Sequence, residues 1–83
     1  MATLHLVFSA DGYRTCLQRL AEGDVVVLLQ DGVYAQSIRP GTSVLSDDVM
    51  ARGMANYLTQ TTSVEWADIV RLTETHQPIV SWR

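Results

Sequence analysis

The chain contains no lysine. Its six basic residues are all arginine, set against nine acidic residues for a net charge of −3. A nucleic-acid binder carries a basic patch or a high pI; at a pI near 5.0, direct binding to RNA or DNA is not expected. Cysteine is nearly absent as well: Cys16 stands alone, so no disulfide can form within the chain. A structural zinc site takes about four Cys or His ligands, and one Cys with two His falls short. No metal or other cofactor is expected. No apolar run approaches the roughly 18 residues of a membrane span; the longest, Val25 to Leu29, has five. The first residues lack a basic stretch ahead of an apolar one, so no secretory signal is expected. A lone cysteine fits a reducing cytoplasm.

What is present is a core. Apolar residues make up 47% of 83 residues, enough for a single domain over residues 1–83. A chain this short buries only about 60% of its unfolded surface. With disulfides and zinc excluded, a partner is the remaining support.

The pattern alternates strands with helices. Thr3–Phe8 is rich in β-formers, and Ser9–Gly12 has turn chemistry with a helix N-cap. Tyr13, Cys16, Leu17, Leu20 and Ala21 recur at one helical face, with Gly23 as the stop. Asp24–Gln30 reads as a central parallel strand buried on both faces. Val33–Ser37 reads as a short helical turn and Arg39–Thr42 as a loop, followed by a strand at Ser43–Leu45. Ser46 is expected as an N-cap, with Asp47 and Asp48 in the first turn of a helix ending near Gly53. After a polar stretch, Asn56–Thr62, a weak strand is expected at Ser63–Glu65. Trp66–Thr75 follows as a helix carrying Trp66, Ile69, Val70 and Thr73 on one side. Ile79–Trp82 is the last strand. This order implies βαβ crossovers and a mostly parallel sheet.

Few residues carry chemistry. Cys16 has two readings: a nucleophile or persulfide carrier, or a small apolar residue within the stripe of Leu17 and Leu20. It sits past the helix start, where the dipole lowers a thiol pKa little. Asp11, Asp31, Asp47 and Asp48 all follow predicted strands, at the usual ligand edge of an open α/β sheet. A magnesium-dependent receiver-type pocket also uses a lysine, which is missing, so these read as turn and helix-start carboxylates. His5 lies mid-strand as a satisfied side chain, and His76 follows the last helix, where a cation suits the helix C-terminus. The glycines are scattered at element ends and make no phosphate loop, and no nucleophile elbow is present.

Four segments in order resemble the DsrH/TusB family: Leu28 to Ala35 (LLQDGVYA), Asp48 to Gly53 (DVMARG), Trp66 to His76 (WADIVRLTETH), and Ser81-Trp82, with Leu4-His5 at the opening. The resemblance implies a three-layer α/β/α fold of the DsrEFH type with a mainly parallel, five-stranded sheet. It implies a subunit of a cytoplasmic sulfur-relay hetero-oligomer. In the TusB branch the partners are TusC- and TusD-like, and persulfide sulfur moves toward 2-thiolation of the tRNA wobble uridine. In the DsrH branch they are DsrE- and DsrF-like and serve sulfur oxidation. In both, the main sulfur-carrying cysteine is on another subunit, although Cys16 aligns with a first-helix cysteine of the DsrH branch. A sulfurtransferase acting through Cys16 directly is the competing reading. Without its partners the chain is expected to self-associate. The stretch Gln36–Thr42 is shorter than the family's usual connection.

Overall fold

Five short runs of apolar and β-branched residues become strands, and all run the same way. A computed structural model of the chain describes residues 2–35, 39, 41–54, 56 and 61–83. In chain order the elements are β1 (Leu4–Val7), α1 (Ala10–Leu17), β2 (Val25–Leu28), a 3-10 turn (Gln30–Tyr34), β3 (Thr42–Leu45), α2 (Ser46–Ala51), β4 (Thr62–Val64), α3 (Trp66–Thr75) and β5 (Ile79–Trp82). The sheet order is β4-β3-β2-β1-β5 with every pairing parallel. β1 and β2 are therefore interior, flanked on both sides.

Strand alternation divides the apolar residues between two faces. Val7, Val26, Leu28 and Val44 join Tyr13 and Cys16 of α1, Val33 of the turn and Val49 of α2. On the other face Leu4, Val27, Leu29 and Leu45 meet Ile69 of α3. The layers are thus α1, α2 and the 3-10 turn, then the sheet, then α3. As the five-residue run requires, β2 is buried on both sides, with Val27 and Leu28 fully enclosed.

Several expected boundaries move. Ser9 does cap α1, its Oγ accepting from the Gly12 N–H at 2.9 Å. The helix ends at Leu17 rather than running to Gly23, because its last bonds tighten to i−3 (Gln18 to Thr15, Arg19 to Cys16). Asp24 then takes the Ala21 N–H at 3.1 Å, which fixes a turn instead of a further helical turn, and Gly23 supplies the left-handed residue there at φ 87°. Ser46 is not a cap: α2 starts at Ser46 itself, after Leu45, with no side-chain cap. The 3-10 turn begins three residues ahead of the expected Val33. The ends of that expectation, parts of the Arg39–Thr42 loop and most of Gln36–Thr42 and Asn56–Thr62 lie outside the described residues.

α3 departs most from its pattern. Its core face is Ile69 with Leu72, whereas Trp66 and Val70 are 52% and 56% exposed. Those two, four apart, form an outward ridge. A reciprocal cap starts the helix: Asp68 accepts from the Glu65 N–H at 3.0 Å, and Glu65 accepts from the Asp68 N–H. This bond and the neighbouring Arg71 hold the Asp68 carboxyl below its ordinary range.

Candidate functional site

Cys16 faces inward from α1 and is fully enclosed among Tyr13, Val26 and their neighbours. Burial pushes its thiol up to about 11, and the Asp24 carboxylate adds to the push. At neutral pH such a thiol is thiolate in roughly one part in 10⁴, and the thiolate is the nucleophile. Neither Arg14, which pairs with exposed Asp11, nor Arg19 offsets this.

Asp24 belongs to a second group that joins three distant segments. The Trp82 indole N–H donates to His5 Nδ1 at 3.0 Å, and His5 Nε2 meets Asp24 Oδ2 at 2.8 Å. An indole is a donor only, so Nδ1 accepts and Nε2 carries the ring hydrogen. Asp24 also accepts from the Thr3 N–H at 2.9 Å. The His5 bond, then the backbone donors, hold the Asp24 carboxyl down at about 2. The His5 and Trp82 rings stack with centroids 6.1 Å apart.

The carboxyl edge of the sheet carries Asp11, Asp31, Asp47 and Asp48 in separate roles. Asp11 pairs with Arg14. Asp31 accepts from Arg52 Nε and Nη2 at 3.2 and 3.1 Å. Asp48 accepts from the Gln30 N–H at 2.6 Å and lies 3.6 Å from Arg52 Nη1. Asp47 is exposed. Arg52 also sits 5.9 Å over the Tyr34 ring. The LLQDGVYA and DVMARG segments therefore meet: α2 clamps the turn. The clamp holds Gln30 at φ 51°, a conformation that costs a non-glycine residue about 1 kcal/mol. Among the described residues, no three His, Cys, Asp or Glu side chains gather as a metal site.

An open cleft of about 350 Å³ lies between the start of α1 and the turn, lined by Ala10, Tyr13, Arg14, Tyr34 and Ala35. The Tyr13 hydroxyl is already engaged by the Arg39 N–H at 2.9 Å. The usual ligand crevice of an open α/β sheet lies where strand order reverses, here between β1 and β5. It is filled: a Cβ on Gly12 would fall 2.8 Å from the Trp82 carbonyl oxygen. Gly32 likewise packs against the Val7 carbonyl with no room for a side chain.

His76 caps α3, its ring Nδ1 lying 2.8 Å from Thr75 Oγ1 and 3.2 Å from the Leu72 carbonyl. Sequence reasoning flagged His5 but missed its partners, because His5 and Trp82 are 77 residues apart. The role of Arg52 was also missed. The usable signal was that in a parallel sheet Asp31 and the α2 start share one edge. No described helix is long and apolar enough to cross a membrane.

Residues 7–79 match the family described as DsrH like protein. Relatives named Protein TusB from Escherichia coli O81 (strain ED1a) and Shigella flexneri are each 33% identical over 92 residues, spanning 96% of this chain and 97% of the relative. Another from Shigella boydii serotype 18 is 32% identical over the same span. A family match across most of the chain, on relatives of nearly equal extent, means that the chain belongs to the DsrH-like family of sulfur-relay subunits.

Proposed function

We propose that the chain is a non-catalytic subunit of a cytoplasmic sulfur-relay hetero-oligomer, acting as one domain over residues 1–83. Its partners are TusC- and TusD-like subunits, and the relay serves 2-thiolation of the tRNA wobble uridine. The branch assignment is supported by the TusB name of the relatives. The non-catalytic role is supported by one observation: the chain's sole cysteine is fully enclosed, with its thiol raised to about 11. Persulfide transfer needs a thiolate that reaches the outer sulfur of the donor persulfide while the donor thiolate leaves. Cys16 offers neither charge nor access, so the relay thiol belongs to a partner. The alternative of Cys16 as a direct sulfurtransferase nucleophile is disfavoured on the same ground.

The test is Cys16→Ser in a relay reconstituted with all partner subunits. Sulfur transfer is expected to persist near the wild-type rate. Loss of transfer from an intact complex overturns the reading. Cys16→Ala, which keeps the site apolar, separates a packing defect from a chemical one, since only the latter persists in both variants.

A further inference from the structure

We propose that the Trp82–His5 hydrogen bond is a proton-operated latch on the edge strand β5. A second proton on the His5 ring expels the Trp82 indole and loosens the strand's end. The inference stands independently of the sulfur-relay reading.

The geometry forces the competition. His5 is buried, and both of its ring nitrogens are used. Nδ1 accepts the indole N–H at 3.0 Å. A protonated ring has donors at both nitrogens and no acceptor, so the two N–H groups would then point at each other. Asp24 faces Nε2 at 2.8 Å and welcomes the added charge, so the ring keeps this partner and gives up Trp82. From α1 the Cys16 thiol feels the same Asp24 carboxylate. β5 contributes no titrating side chain beside the ring. Arg83 lies on the opposite face of the sheet, 4.9 Å over Phe8.

The strand is suited to release. Among the described residues β5 pairs with β1 alone, and its exposed Ile79 adds little packing. Trp82 is its main anchor in the core, packed against the cluster that holds Val7 and Tyr13. A buried donor left without a partner is destabilising, so the indole moves toward water.

The test is nitrogen-resolved NMR of the full chain during acid titration. At neutral pH the His5 ring should show the Nε2–H tautomer. As His5 takes up its proton, exchange of the Trp82 indole N–H should speed up at least about tenfold, with exposed Trp66 as the internal control. Trp82→Phe removes the competing donor facing Nδ1, so the acid titration of the His5 ring should move upward in that variant. A neutral ring with hydrogen on Nδ1 overturns the proposal. So does an indole signal that ignores the His5 titration, an unmoved midpoint in Trp82→Phe, or His5 that takes no proton before global unfolding.

Discussion

Two aspartate-centred clusters sit near opposite edges of the same sheet and use similar contacts in different solvents. Near the amino edge, the His5 and Asp24 side chains are 4% and 5% exposed. At the carboxyl edge, Asp31 is 73% exposed where it meets Arg52. The first cluster joins β1, the lead into β2 and β5; the second ties α2 to the 3-10 turn. Removing one partner of a buried pair leaves a charged or polar group with no water to replace it, at roughly 3–5 kcal/mol. Exposed pairs are worth about 0–1 kcal/mol. The amino-edge cluster should therefore hold the fold, and the carboxyl-edge cluster should hold only a local shape.

The sharpest way to break this contrast is Asp24→Asn. Asp24 accepts from His5, Thr3 and Ala21, and the variant should lose about 3 kcal/mol in urea unfolding. A loss under 1 kcal/mol would place both clusters in the same class.

Next in size is the pH response. The Asp24 carboxyl falls from 3.8 to about 2 on folding, so the folded state holds the charged form more tightly. Its contribution is complete above the unfolded value and is lost as pH drops from there toward 2. Denaturation midpoints should decline over that window in the wild type and much less in Asp24→Asn.

At the carboxyl edge, Arg52→Ala should cost about 1 kcal/mol overall. Its clearer mark is faster amide exchange at Gly32 and Ala35, which donate within the turn. Smallest of all is Asp31→Asn. It should change stability by less than about 0.5 kcal/mol, with a difference that vanishes in high salt.

Where local pattern decides, the sequence was readable. The unbroken run Val25 to Leu29 suits an interior strand, and the alternation of elements implies a mostly parallel sheet; both are found. Boundaries slipped where a distant side chain intervenes, as Asp24 does in ending the α1 region and Asp48 in bending the chain at Gln30. The outward ridge of α3 was misplaced because Trp66 and Val70 are apolar yet point away from a sheet that one ten-residue helix covers at Ile69 and Leu72. Cys16 was legible as a helix-face residue. Its raised thiol also needs Asp24, eight positions along the chain and brought close only by the turn at Gly23. The His5–Trp82 pair had no sequence signal, because nothing local relates residues on two strands made neighbours by topology.

That topology also sets a time order for the nascent chain. β1 lies between β2 and β5, so the first strand made is the last to be completed on its second side, across 75 residues at Leu4 and Ile79. Contacts so distant in sequence slow folding. Until Trp82 has left the ribosome, His5 and one edge of β1 remain open to water and to other chains. During synthesis this is the interval of greatest exposure to mispairing, and a partner subunit or chaperone that shields β1 would act there.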